Sequence, residues 1–104
     1  MDVQSRRRVV ITGLGAVTPL GNDVASTWAG IKAGKSGAGN ITLFDTTDYS
    51  VKIAAEVKNF SLDTYGLAHK VVRKMARFTR FLTASSLQAV RDAGYDESSF
   101  GADL

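Results

Sequence analysis

The sequence predicts an α/β fold, because strand-like and helix-like hydrophobic patterns alternate along its 104 residues. A β-branched run at 8–12 predicts a buried strand that Gly13 ends. A helical pattern follows it, then an alternating segment at 51–57, and then a long amphipathic segment at about 71–93. The order strand, helix, strand, helix is typical of the α/β class, and a chain of this length is expected to form one domain at most.

The first helix is predicted to begin after Asn22 or Asp23, either of which can cap it, and to end at Gly34. Val24, Trp28 and Ile31 recur within it at helical spacing, so we expect Trp28 to lie in the core. The glycine-rich residues that follow, 35–40, are expected to form a loop.

The second half predicts one strand and one long helix. Segment 51–57 alternates apolar and charged residues, which suits a strand with one solvated face or an edge strand. Segment 71–93 predicts a single helix with an apolar stripe, and Gly94 stands where a helix ends. The stripe consists of Val71, Met75, Phe78, Leu82, Ala89 and Ala93.

Composition excludes several kinds of site within these residues. There is no cysteine, which excludes disulfides, cysteine–metal sites and a cysteine nucleophile, and His69 is the one histidine. We therefore predict neither a metal nor a cofactor. Hydrophobic residues make up 44% and charged residues 22%, with no apolar run of membrane-spanning length and no leader pattern. A cytoplasmic location and no membrane partner are expected.

Two segments are similar to nucleotide-binding motifs. The stretch GIKAGKSG at 30–37 is close to a phosphate-binding loop, but it has one residue too few and follows a helix instead of opening one. Gly13 and Gly15 begin a dinucleotide fingerprint whose third glycine position holds Thr18. We interpret the first as a helix end and the second as a tight turn with close backbone packing. A small nucleotide-binding α/β domain stays the alternative hypothesis.

An ordered series of segments resembles the start of a known enzyme family. The series is RRRVVITGLGAVTPLGND, STWAGIKAGKSG, FDTTDY, AAEVKNF, RKMARFTRF and AVRDAGY. It resembles the β-ketoacyl-acyl-carrier-protein synthases, most closely the type II elongating condensing enzyme, and polyketide-type ketosynthases begin similarly. The resemblance covers nearly the whole chain, from about Arg7 to Gly94.

The resemblance implies a thiolase-like fold of two similar α/β halves in a homodimer. It implies fatty acid chain elongation, in which an acyl group on a cysteine condenses with malonyl-acyl carrier protein and carbon dioxide is released. That chemistry uses a cysteine and two histidines, and His69 matches neither histidine motif. Residues 1–104 are therefore expected to be the incomplete N-terminal segment of a β-ketoacyl synthase domain, without catalytic residues and inactive alone.

One segment of the chain is strongly basic. Five cationic residues lie within 70–80 with no acid among them, and on one ideal helix they would span an arc of about 120°. Such a face is either ordinary solvated surface or a docking site for an acidic partner. Phe78 and Phe81 lie on or beside the apolar stripe and away from the basic face, and no nucleic-acid motif is present, so we predict no nucleic-acid partner. The five are Lys70, Arg73, Lys74, Arg77 and Arg80.

The resemblance favours docking of acyl carrier protein, which is acidic. It implies carrier-binding roles for Lys70, Arg73 and Lys74, and less clearly for Arg77 and Arg80. Ala76 stands where the family often has an acid, which makes this face more positive.

Overall fold

The computed structural model describes residues 5–95, which form three α-helices, a two-stranded sheet and a short 3-10 helix. The mixture of helices and sheet agrees with the α/β class that the sequence predicts. In chain order the elements are α1 (Val24–Lys32), β1 (Ala38–Asn40), β2 (Ile53–Ala55), the 3-10 helix (Asp63–Tyr65), α2 (His69–Arg73) and α3 (Arg77–Asp92).

Helix α1 begins and ends as the sequence predicts. Asp23 is its N-cap, and its carboxylate accepts a hydrogen bond of 2.7 Å from the backbone N–H of Ser26. Gly34 follows the C-cap with φ of 68°, the left-handed conformation that glycine adopts without a steric cost. The prediction that Trp28 is a core residue is wrong, because 56% of it is exposed. Helical spacing showed which face is apolar, but the described residues leave more than half of Trp28 and of Ile31 uncovered.

Strands β1 and β2 form an antiparallel pair in which Ala38 lies opposite Ala55 and Asn40 opposite Ile53. The expectation of a loop at 35–40 is therefore wrong for its last three residues. The strand expected at 51–57 is confirmed only at its centre. Every residue of both strands is exposed, so the alternation of apolar and charged residues does not separate a buried face from a solvated one.

The prediction of a buried strand at 8–12 is wrong for the chain as the structure describes it. These residues are in no strand, with Val9 94% exposed and Ile11 83% exposed. A strand is stabilised by hydrogen bonds to neighbouring strands, and residues 5–95 offer none at this position. The composition of 8–12 favours an extended, buried strand, but residues 5–95 contain no strand that pairs with it.

The single long helix predicted at about 71–93 is two helices. Helix α2 ends at Arg73, and Ala76 is extended, with φ −65° and ψ 158°, before α3 begins. In a continuous helix the carbonyl of Met75 would accept a backbone bond from Thr79. Here it accepts a bond of 3.2 Å from Nε of Arg80 instead. The break contains neither glycine nor proline, which is why the sequence pattern did not reveal it.

The loop after residue 12 packs directly on α3. A Cβ atom on Gly13 would lie 2.1 Å from the carbonyl oxygen of Ala89, and one on Gly15 would lie 1.8 Å from that of Ser85. The interpretation of these glycines as a means of close backbone packing is confirmed. The backbone N–H of Leu14, between them, donates a bond of 3.0 Å to the Asp92 carboxylate.

The core of the described chain is small. Among residues 5–95, the buried hydrophobic side chains are Leu62 and Ala84. The radius of gyration is 18.2 Å, against about 13 Å for a compact domain of this length. Much of the apolar stripe is uncovered, since Phe78 is 75% and Leu82 65% exposed. A chain with so little buried surface presents wide apolar faces for further contacts.

Candidate functional site

The three residues for which the resemblance implies carrier binding lie together. Lys70 and Arg73 are on α2 and Lys74 is its C-cap residue. All three are exposed and line one concave region of about 350 Å³. We call these three residues the α2 cationic surface. In the part of the chain that the structure describes, they make no salt bridge with a carboxylate, so no acid there neutralises their charge.

The other two basic residues of the segment are held by internal contacts. Nη2 of Arg77 donates a bond of 3.0 Å to the carbonyl of Val57, and its guanidinium lies 4.9 Å from the centre of the Phe81 ring. Arg80 donates to the Met75 carbonyl across the helix break. The prediction of one cationic arc over all five residues is therefore wrong, because α2 and α3 are separate helices.

Aromatic packing joins the loop before the 3-10 helix to α3. The rings of Phe60 and Phe81 meet edge to face with centroids 4.9 Å apart. Leu62 is buried nearby in sequence, and Val72 and Met75 are half-buried. Edge-to-face aromatic pairs add about 0.5–1.5 kcal/mol beyond the area that they bury. This packing holds the loop at Phe60 against α3, the helix that carries Arg77 and Arg80.

Gln88 connects three parts of the chain, and sequence reasoning missed it. Its amide oxygen accepts a bond of 3.0 Å from the N–H of Ala16, and its amide nitrogen donates to the carbonyl of Asn22 at 2.7 Å and to the hydroxyl of Tyr65 at 2.8 Å. A signal was present, because a lone amide between apolar neighbours on a helix is unusual unless its hydrogen bonds are satisfied.

Asn22 extends this network. Its side-chain nitrogen donates to the carbonyls of Lys58 and Asn59 at 3.0 and 3.1 Å. Asn59 has φ of 55°, a left-handed conformation in which asparagine is enriched several-fold among residues other than glycine. The loop that leads from the sheet to the basic segment is therefore tied to the start of α1.

Carboxylates elsewhere organise turns. Hydrogen bonds from the Ser26 hydroxyl and backbone hold the pKa of Asp23 below its ordinary value of 3.8. Partial desolvation raises the pKa of Glu56, but hydrogen bonds from Thr42 and Leu43 outweigh it, so this pKa also lies below its usual value. Both groups are ionised at neutral pH and act as acceptors for local N–H groups.

The geometry does not support a phosphate-binding loop at 30–37. The N–H groups of Gly34 and Lys35 donate to the carbonyls of Ile31 and Gly30, both at 3.0 Å, and so close the C-terminus of α1. A phosphate-binding loop would instead direct such groups at its ligand from the start of a helix. Within residues 5–95 there is no cluster of three or more metal-ligating side chains, and no helix there is long and apolar enough to cross a bilayer.

Comparison with known proteins identifies the family. Residues 6–103 match the model of the β-ketoacyl synthase N-terminal domain. The chain is 43% identical over 94 residues to 3-oxoacyl-[acyl-carrier-protein] synthase 2 of Staphylococcus aureus strain COL, and 44% identical over 92 residues to the enzyme of that name from Vibrio cholerae. These matches cover 90% and 88% of this chain and 22% of each relative.

A solved structure agrees with the sequence relatives. The ishigamide ketosynthase/chain length factor superposes with a TM-score of 0.82 at 38% identity, over 93% of this chain and 24% of that one. The fold is therefore the ketosynthase α/β fold, the thiolase-like fold that the resemblance implied. The chain spans about a fifth of the length of the curated relatives that it matches. It belongs to the β-ketoacyl synthase family.

Proposed function

We propose that the protein to which these residues belong is an acyltransferase of fatty acid chain elongation. It condenses an enzyme-bound acyl group with malonyl-acyl carrier protein, with loss of carbon dioxide, to give β-ketoacyl-acyl carrier protein. The proposal is supported by 43% identity to 3-oxoacyl-[acyl-carrier-protein] synthase 2. Residues 1–104 contain no cysteine, so a cysteine nucleophile would have to come from outside them.

The role of this segment, in our proposal, is to dock the carrier protein on the α2 cationic surface. One observation carries this: three cations on α2 and its C-cap line one exposed concave region without a carboxylate to neutralise them. An acidic partner would find there a potential of the opposite sign, which speeds encounter and fixes orientation. The uncompensated charge costs helix stability, and a bound acidic partner would offset that cost.

Docking of this kind acts on binding more than on chemistry. The surface would contact the carrier protein, whereas the reacting thioester would lie at a site built by other residues. An interaction that is equally strong in the ground state and the transition state changes KM and leaves kcat unaltered. Loss of the surface should therefore raise KM for the carrier-bound substrate.

A charge-reversal experiment tests both proposals. The full-length protein is assayed for condensation, and Arg73→Glu/Lys74→Glu is compared with the control Lys32→Glu/Lys35→Glu. The control makes the same charge change at exposed residues at the end of α1. We expect KM to rise at least about tenfold at low salt in the first variant and less than about twofold in the control. Equal effects in the two variants would contradict docking at α2, and no condensation by the wild type would contradict the proposed activity.

The pathway is a separate question, because the chain is also similar to a ketosynthase/chain length factor. A polyketide-type ketosynthase is therefore the second candidate. The two candidate functions are distinguished by incubating the enzyme with an acyl primer, malonyl-acyl carrier protein and a fatty acid ketoreductase, and identifying the products. Products that are extended by one two-carbon unit, and whose β-keto group the reductase then reduces, support fatty acid elongation. Chains that carry several unreduced β-keto groups support the second candidate.

We further propose that residues 1–104 are one segment of a larger synthase domain and that the intact enzyme is a cytoplasmic homodimer. The relatives' greater length and the wide uncovered apolar faces support the first point. The mass of the native protein in solution tests the dimer, and a monomer would contradict it.

A further inference from the structure

Another concave region adjoins the α2 cationic surface and shares Arg73 with it. It has a volume of about 280 Å³ and lies where the 3-10 helix, α2 and the start of α3 meet. Three arginines line it, and we call it the arginine pocket. Its polar and ionisable lining residues are Ser61, Asp63, His69, Arg73, Arg77 and Arg80.

Two of the guanidinium groups are held in place before any ligand binds. Arg77 is fixed by its bond to the Val57 carbonyl and by stacking on Phe81. Arg80 is half-buried and fixed by its bond to Met75. Each of these bonds uses one of the five N–H donors of a guanidinium, so both groups keep donors for a ligand. Preorganised donors lose little conformational entropy when they bind.

The positive charge of the pocket is not neutralised from within. None of Arg73, Arg77 and Arg80 makes a salt bridge in the described part of the chain, and Asp63 is the one acid of the lining. The wall beside the charges is apolar, with Leu62 buried and Phe60 half-buried. Low polarizability near a charge strengthens its attraction for an oppositely charged ligand.

We propose that the arginine pocket binds a phosphate group. Arginine pairs with phosphate and carboxylate through two parallel N–H···O bonds. Three arginines offer more donors than the two oxygens of a carboxylate can accept, whereas a phosphate group presents at least three acceptor oxygens. The volume of about 280 Å³ is slightly below the range of small-molecule sites, which begins at about 300 Å³, so the pocket suits a phosphate group with at most a small substituent. The inference does not rest on carrier docking: the pocket shares Arg73 with the α2 cationic surface, but Arg77 and Arg80 are outside that surface.

Titration of the full-length protein with inorganic phosphate tests the site. Calorimetry is run at constant ionic strength on the wild type, on Arg80→Gln and on the control Arg8→Gln, which makes the same change at an exposed residue remote in sequence from the pocket. We expect saturable binding in the millimolar range, weakened about tenfold or more by Arg80→Gln and less than about twofold by Arg8→Gln. Acetate, as a carboxylate probe, should bind the wild type more weakly than phosphate.

A measurement on the wild type covers the case in which Arg80→Gln fails to fold. The protein is treated with phenylglyoxal with and without phosphate, and modified arginines are mapped by mass spectrometry. Phosphate should slow modification of Arg77 and Arg80 and leave Arg8 unaffected. The proposal would be overturned by phosphate binding that does not saturate, or by an equal loss of phosphate affinity in Arg80→Gln and Arg8→Gln. It would also be overturned if acetate binds as tightly as phosphate, or if phosphate protects Arg8 as strongly as Arg77 and Arg80.

Discussion

Substitution of Gly15 by alanine tests the packing that holds the N-terminal loop on α3. The added Cβ would lie 1.8 Å from the carbonyl oxygen of Ser85 and 2.7 Å from its carbon. Both are backbone atoms of a helix, so relief requires the loop or the helix to move. Movement of the loop would break the bond from Ala16 to Gln88, which has two further partners.

The expected destabilisation follows from these two effects. Forcing a methyl group into a filled space costs about 1–3 kcal/mol, and a lost hydrogen bond costs about 0.5–1.5 kcal/mol. We therefore expect Gly15→Ala to lower the free energy of unfolding by about 2–4 kcal/mol. Gly39→Ala is the matched control, because no heavy atom lies within 4 Å of its Cβ position and its φ is not in the left-handed range.

Urea denaturation of the purified protein, followed by circular dichroism, measures the effect. The midpoint should fall strongly for Gly15→Ala and change little for Gly39→Ala, with the dependence on urea concentration unchanged in both. Alanine has a smaller unfolded-state entropy than glycine, so the control can even gain slightly. If both variants unfold at the same midpoint, the close approach of the loop to α3 is not a feature of the folded protein.

Three further predictions concern capping and turns. Ala76 is the N-cap of α3 without a side-chain hydrogen bond, so Ala76→Ser should raise the free energy of unfolding by about 1 kcal/mol in urea titration; no gain would show that α3 begins elsewhere. Asp23→Ala, which removes the N-cap of α1, should lower the free energy of unfolding by about 1 kcal/mol at pH 7. The pKa of Asp23 is lowered in the folded protein, so its contribution to the free energy of unfolding is complete above its ordinary pKa and is lost as pH falls through the lower folded value. The difference in free energy of unfolding between wild type and variant should therefore shrink below about pH 4. A difference independent of pH would argue against the cap. The N–H groups of Thr42 and Leu43 donate hydrogen bonds to the Glu56 carboxylate, so Glu56→Gln should speed hydrogen exchange at both groups. Unchanged exchange would contradict these two hydrogen bonds.

Local signals in the sequence predicted both ends of α1 and the end of α3. Asp23, Gly34 and Gly94 have the capping and left-handed roles that their residue types favour, since these roles depend on a few neighbouring atoms. The break between α2 and α3 could not be predicted in the same way. At the break the Arg80 side chain donates to the carbonyl of Met75, a contact that apolar periodicity does not encode.

Predictions that depend on distant partners were less accurate. The segment 8–12 has a strand composition, yet a strand exists only where a neighbour supplies hydrogen bonds. Conversely, Ala38–Asn40 has no strand pattern and pairs because β2 lies beside it. Trp28 and Phe78 lie on apolar faces that the described residues leave open. Burial is decided by what packs against a face, and the pattern of one segment does not contain that information.

The candidate site was predictable in part. The run of basic residues without an acid singled out the segment, and the structure places Lys70, Arg73 and Lys74 around one concave region. The different positions of Arg77 and Arg80 follow from the helix break, so a single helical wheel grouped residues that belong to two separate helices. The carrier-binding role of Lys70, Arg73 and Lys74 stays a prediction.

The salt dependence of carrier binding tests the central claim most directly. Affinity of the full-length protein for acyl carrier protein is measured by calorimetry at about 0.01 M and about 0.1 M salt, where the screening lengths are about 30 and 10 Å. The wild type should bind much more weakly at the higher salt. Lys70→Glu/Arg73→Glu/Lys74→Glu should bind weakly at both, with little change between them. If the triple variant retains the affinity and the salt dependence of the wild type, the α2 cationic surface does not dock the carrier.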